Sequence, residues 1–252
     1  MSQAPRPNLW QIPAITAYQT EQTQPLVIDL KENLIAISQR FKAITLANSL
    51  AVEDLVITDL ASKLELPIDV FILDTKKLHN ETNIYINTIK NLYKNLNFHI
   101  LTPLEKELSN FSQQYTPADI YQSLNARQAC CYARKVEPLN RALENYQAWI
   151  TGQRRAQSTT RSQLALEEFD AIHQRYKFNP LALWSQEHVW AYVQQHQLPI
   201  NPLYSQGLPS IGCEPCTRPI RQHEPIRAGR WWWESQTNKE CGLHNTASTA
   251  LS

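Results

Sequence analysis

The stretch KAITLANS, residues 42–49, is a short apolar run that ends abruptly in polar residues, and its reading decides the fold of everything around it. Such a run predicts a buried strand over 43–47. Upstream, Leu30, Leu34, Ile37 and Phe41 fall on one helical face. Downstream, Val52, Val56, Leu60 and Leu64 recur every four residues and predict a helix over 52–66. The alternation continues along the chain. DVFILDT (69–75) reads as a second strand, Ile86, Ile89, Tyr93 and Leu96 mark another helix, and NFHILTP (97–103) makes a third strand. AWITG (148–152) is a fourth apolar run. After it, the segment from Phe169 reads as one short strand, a loop through Pro180, and a helix capped near Ser185 that shows Val189, Tyr192 and Val193 on its apolar side. Strands alternating with helices predict an α/β fold with a parallel sheet and right-handed crossovers.

In sheets of this kind ligands gather beyond the carboxyl ends of the strands, which puts Ser49, Asp74 and Thr75 at a binding rim. The same residue types also serve as helix caps and turn formers. Residues 153–163 form a polar cluster with Arg154, Arg155 and Arg161, and Pro199, Pro202 and Pro209 break the later chain into loop.

The 252 residues suffice for one sizeable core or two small ones, and 42% hydrophobic content is ordinary for a globular protein. No apolar run approaches a membrane span and the start of the chain lacks the pattern of a secretory signal, so no membrane association and a cytoplasmic location are expected. Residues 1–126 carry 10 Lys+Arg against 13 Asp+Glu, and residues 127–252 carry 14 against 10. Eleven of the thirteen Arg lie in the second part. That excess is too small for a nucleic-acid surface, whose affinity rests on many phosphate contacts, and it suits a small anionic ligand.

Five Cys in a reducing compartment do not make a disulfide framework, which leaves metal binding or thiol chemistry. Cys213-Glu-Pro-Cys216 has the spacing of a metal-ligand pair; alone it is ambiguous among zinc, an iron–sulfur centre and a redox dithiol. Pro209 and Pro219 around it argue against the helix-opening setting of a dithiol, so metal is preferred. Cys130 and Cys131 are the remaining pair. Adjacent side chains diverge, which is awkward for one tetrahedral zinc ion, whereas a four-iron cluster spreads its ligand positions and accepts both. Cys241 is then left over, with His244 three residues on and Arg227, Arg230 and Lys239 before it, the company of a nucleophilic thiolate.

CCYARKVEPLNRAL (130–143), AWITGQRRAQSTTR (148–161), LPSIGCEPCTRPI (208–220), RAGRWWWE (227–234) and KECGLH (239–244) resemble, in order and spacing, the assimilatory sulfonucleotide reductases, specifically the cluster-containing adenylyl-sulfate reductases. The similarity runs from about Thr45 to His244. Cluster-free phosphoadenylyl-sulfate reductases share the terminal Cys motif but lack both Cys pairs, so the resemblance implies adenylyl sulfate as substrate. It implies a Rossmann-like sheet of the adenine nucleotide alpha-hydrolase type, with residues 1–24 as an arm, 25–208 as the sulfonucleotide-binding domain, and 209–252 as a cluster loop and catalytic tail of the same domain. It also implies that Cys130, Cys131, Cys213 and Cys216 hold a [4Fe–4S] cluster and that Cys241 is the nucleophile. Lys135 would lie between cluster and substrate, with Arg227 and Arg230 on the phosphosulfate. Leu73 and Thr75 would contact the adenosine, and Ser49, Gly152, Arg161 and His244 complete the pocket. Thioredoxin, or a glutaredoxin-like reductant, is the implied partner, and a homo-oligomer is the expected state. Trp231, Trp232 and Trp233 are expected to pack the core and hinge of the tail. The chain departs from the family's pattern at Ala51 and Lys76, where Gly is usual and lets backbone approach a ligand closely. A phosphoadenylyl-sulfate reductase and a non-catalytic, metal-stabilised nucleotide-binding regulator are the alternatives.

Overall fold

The computed structural model describes residues 8–158 and 161–234. Its centre is β1 (Ile44–Ala47), whose residues Ile44, Thr45 and Leu46 are fully buried, as its apolar run requires. β1 is flanked in parallel by β2 (Ile68–Leu73), in the register Ile44 opposite Ile68, and by β4 (Ala148–Thr151), with Ile44 opposite Ala148. β3 (Phe98–Leu101) extends the sheet beyond β2. Beyond β4 stand β6 (Arg175–Phe178), parallel, and β5 (Glu167–Asp170), antiparallel, so that the strand order is β3-β2-β1-β4-β6-β5. The single short strand expected after Phe169 is therefore a hairpin, and the sheet is parallel except at one edge. The turn carries Gln174 at φ 55°, a left-handed position with no Gly to announce it.

Side-chain alternation along the strands gives the sheet two buried faces. On one, α1 (Ala17–Arg40), α2 (Val52–Lys63) and α7 (Gln186–Gln195) bury Leu30, Leu34, Val56, Leu60, Val189 and Trp190 with Leu46, Val70, Ile72 and Ile150. Each such fully buried aliphatic side chain contributes about 1.5–3 kcal/mol. On the other face α6 (Glu137–Leu143) sets Leu139 and Leu143 against Phe71 and Trp149. α3 (Asn80–Leu92) joins β2 to β3. α4 (Glu105–Gln114) and α5 (Leu124–Cys131) form an excursion between β3 and β4 that the periodicity did not announce, because α4 has no buried residue. α1 begins at Ala17, inside the segment read as an arm, with a capping box between Thr16 and Gln19. Pro25 lies within this helix.

The chain builds outward through β2 and β3, then returns to the other side of β1 as β4. The carboxyl ends of β1 and β4 thus diverge into a crevice, the position where open α/β sheets bind ligands.

Candidate active site

The crevice is walled by residues 47–51 after β1, the first turn of α2, Leu73 and Thr75 after β2, residues 151–154 after β4, and two loops from the late chain, 209–213 and 226–231. Ser49, Leu73, Thr75, Lys135, Gly152, Arg161, Arg227 and Arg230, all expected from the sequence, line this one pocket. Cys241 and His244 lie outside the described residues.

Asp54, in the first turn of α2, draws the strand ends together. Its Oδ2 accepts from the Ser49 amide at 2.7 Å and the Ser49 hydroxyl at 2.6 Å, and its Oδ1 accepts from the Gly152 amide at 3.0 Å. A Cβ on Gly152 would overlap Asp54 Oδ1 and stand 2.9 Å from Glu53 Cβ, so close approach of β4 to α2 demands glycine there. Burial, reinforced by Glu53, raises the Asp54 carboxyl to about 6 against the opposing pull of the Ser49 and Gly152 donors. Glu53 accepts from Arg154 Nε at 3.0 Å, Arg154 Nη2 at 2.8 Å and Gln157 Nε2 at 3.1 Å, and Arg161 donates to Gln157 Oε1 at 2.5 Å. Arg154 is thus engaged by protein, while Arg161 is held at the pocket wall through Gln157. Neither Glu53 nor Asp54 was expected in the site, because acids in a first helical turn ordinarily read as dipole partners.

The opposite end is cationic. The Lys135 ammonium lies 5.8 Å, and the Arg230 guanidinium 4.6 Å, from the ring of Trp231, which is buried and lines the pocket rather than only packing the hinge. Arg230 Nη1 donates to Ile211 O at 3.1 Å. Three buried polar atoms on pocket-lining residues, Gln153 Oε1, Arg230 Nε and Trp231 Nε1, have no protein hydrogen-bond partner. Buried polar groups are rarely left so, and a polar ligand would satisfy them.

Behind this end the four cysteines come together. Cys131, Cys213 and Cys216 are buried with Ile120 and Trp231, Cys130 packs against them, and all four are free of disulfides. Cys130 and Cys131 end α5. The following residues, Tyr132–Val136, form a π-helical turn in which the Glu137 amide bonds to Tyr132 O. Pro138 cannot donate to the carbonyl of Arg134, so the α-helical ladder is interrupted at this point. Cys213 and Cys216 are spaced by a 3₁₀ turn, Glu214–Cys216, pinned by Glu214 N to Lys77 O at 2.8 Å and by a bridge between Leu78 and Cys213. Thr75 belongs to both regions: its carbonyl accepts from Arg134, its hydroxyl is 3.2 Å from Cys213 Sγ, and it lines the pocket.

Burial alone would push all these thiols up, and it does so for Cys130 and, with the nearby Cys213, for Cys216, which reaches about 12. For Cys213 burial is outweighed by Lys135, the Thr75 hydroxyl, Arg230 and Arg134, and its thiol is lowered. Among the described residues no three His, Cys, Asp or Glu side chains are gathered as a single metal ion requires. Four clustered thiols are a donor set of the kind that an iron–sulfur centre takes.

The two departures from glycine differ in cost. Ala51 caps α2 at φ −77°, an ordinary conformation, and the left-handed residue of that loop is its neighbour Leu50 at φ 67°. Lys76 stands at φ 55°, where Gly would be unstrained, and is held by bonds from its amide and its ammonium to Asp74, each 2.9 Å.

Residues 43–219 match the family model described as the phosphoadenosine phosphosulfate reductase domain. An adenosine 5'-phosphosulfate reductase of Neisseria meningitidis serogroup B is 44% identical over 95% of this chain and 97% of its own. Another, from Allochromatium vinosum, is 45% identical over 84% of this chain and 83% of its own. Among solved structures, the phosphate complex of phosphoadenylyl-sulfate reductase from Candida auris superposes with a TM-score of 0.65 at 25% identity, covering 83% of this chain and all of that one. The sheet is of the adenine nucleotide alpha-hydrolase type. With the family model matched over residues 43–219 and such relatives covering most of the chain, this protein belongs to the phosphoadenosine phosphosulfate reductase family.

Proposed function

We propose that the protein reduces adenylyl sulfate to sulfite and AMP. The observation that carries this reading is a single pocket with a cationic end, Lys135, Arg227 and Arg230, set directly against four clustered thiols. The relatives named above support the choice of nucleotide.

The nucleoside would lie over the crevice between β1 and β4, against Leu73, Ser49 and Gly152, and the phosphosulfate at Lys135, Arg227 and Arg230. The Cys241 thiolate attacks the sulfur of the bound sulfonucleotide. A sulfur–sulfur bond forms, the bridging sulfur–oxygen bond breaks, and AMP leaves with the electron pair. The cations stabilise the charge that develops on the phosphate oxygen, which makes AMP a good leaving group. One thiolate of reduced thioredoxin then attacks Cys241 Sγ and expels sulfite with its electron pair. The second thiol of thioredoxin breaks the mixed disulfide, restoring the Cys241 thiolate and releasing oxidised thioredoxin. The dithiol supplies both electrons. A [4Fe–4S] cluster on Cys130, Cys131, Cys213 and Cys216 would supply a fixed charge distribution behind Lys135. Four thiols free of disulfides suit a reducing, cytoplasmic setting.

The test is intact-mass analysis of anaerobically purified protein given adenylyl sulfate or phosphoadenylyl sulfate without reductant, followed by peptide mapping. The expected result is a sulfonate on Cys241 with adenylyl sulfate alone, absent from Cys241→Ser. Faster labelling by phosphoadenylyl sulfate would reassign the substrate. No adduct with either nucleotide, in protein retaining iron and sulfide, would make it a nucleotide-binding regulator instead.

A further inference from the structure

Arg127 is 1% exposed, yet it does not line the pocket, so burial of its charge is not explained by ligand contact. Its guanidinium forms a two-pronged ion pair with Glu234, Nε to Oε1 at 2.8 Å and Nη2 to Oε2 at 2.9 Å, and lies 4.9 Å from the ring of Trp231. Cys131 stands one helical turn further along the same helix, α5. Glu234 closes a turn on Trp231, its amide bonding to the Trp231 carbonyl at 2.9 Å. From Glu234 the chain has seven residues to reach Cys241, a span of at most about 25 Å.

We infer that Arg127 is a positioning residue that ties the segment bearing Cys241 to the cysteine patch, with Glu234 as the anchored end. This inference rests on the assignment of Cys241 as the nucleophile. A planar fork seated on Trp231 fixes the Glu234 carboxylate, so the last described residue before Cys241 is tied to the same helix that carries two of the clustered thiols. A Lys at this position would keep the charge and lose the fork.

Anaerobically purified holoenzyme is compared as wild type, Arg127→Lys, Glu234→Gln, and the double variant Arg127→Met with Glu234→Gln, which leaves no charge unpaired should the singles fold poorly. Three quantities are read: iron and sulfide content with the visible absorption band, affinity for AMP, and the single-turnover rate of sulfonation of Cys241 by adenylyl sulfate. The expected result is a tenfold or greater slowing of sulfonation, with iron and AMP affinity within twofold of wild type and the double variant no slower than Glu234→Gln. Wild-type rates in either single, slowing that merely tracks lost iron or lost AMP binding, or independent, multiplying effects in the double variant would each overturn the inference. Absence of an adduct in the wild type would instead remove the nucleophile assignment, and this inference with it.

Discussion

Asp54 joins three roles in one side chain: it caps the loop through Ser49, holds Gly152, and stands beside Glu53 in a site where burial dominates. A carboxyl raised above its ordinary value of 3.8 binds its proton more tightly in the folded than in the unfolded chain. Its stabilising contribution is therefore complete below about 3.8 and is lost as pH rises through about 6. Asp54→Asn should flatten the fall of unfolding free energy between these values, by up to about 1.4 kcal/mol per pH unit, the limit for one proton. Denaturant titrations across that range check it, and an unchanged slope would mean that the Ser49 and Gly152 donors keep the group ionised. Nothing in the sequence marks Asp54 apart from other acids that open helices. Its role comes from Gly152, which sits far along the chain and is brought near only by the return of β4 to β1.

The π-helical turn after Cys131 sets Cys130, Cys131 and Lys135 in one continuous helical excursion. Deletion of the half-exposed Tyr132 would restore an α register and rotate Cys130 and Cys131 by about 100° relative to α6, whose Leu139 and Leu143 hold it on the sheet. Iron content should fall below half of wild type while far-UV circular dichroism is retained; full iron in the deletion variant would show that the turn does not aim the thiols. That the four thiols come together was legible from Cys spacing, because few chemistries need two such pairs. The turn was not, since its cause is the missing amide of Pro138 acting on Arg134. Strands β1 to β4 were equally legible from their apolar runs. The hairpin β5–β6 was not, because EEFD carries three acids and one apolar residue and its turn has Gln174 where a Gly would have signalled it.

At the scale of the molecule, the site lies where β1, β4 and the late loops meet, and Gly152 is one of the close approaches there. Gly152→Ala should lower stability by about 1–3 kcal/mol, as overpacking does, and weaken AMP binding at least tenfold by parting α2 from β4. Thermal unfolding and AMP titration read the two effects, and native behaviour in both would show that α2 yields to the extra carbon. The four thiols close over a long stretch of chain: every strand of the sheet lies before Cys213 in the sequence. A chain emerging from the ribosome therefore possesses every described strand of the sheet before it possesses all four thiols. The apolar clusters on the two faces of the sheet contain none of the four thiols, in contrast to small domains that are unfolded without their ion. Removal of whatever those thiols bind should therefore leave the sheet folded, which far-UV circular dichroism of chelator-treated protein checks; loss of the helical signal would show that the thiol patch holds the fold.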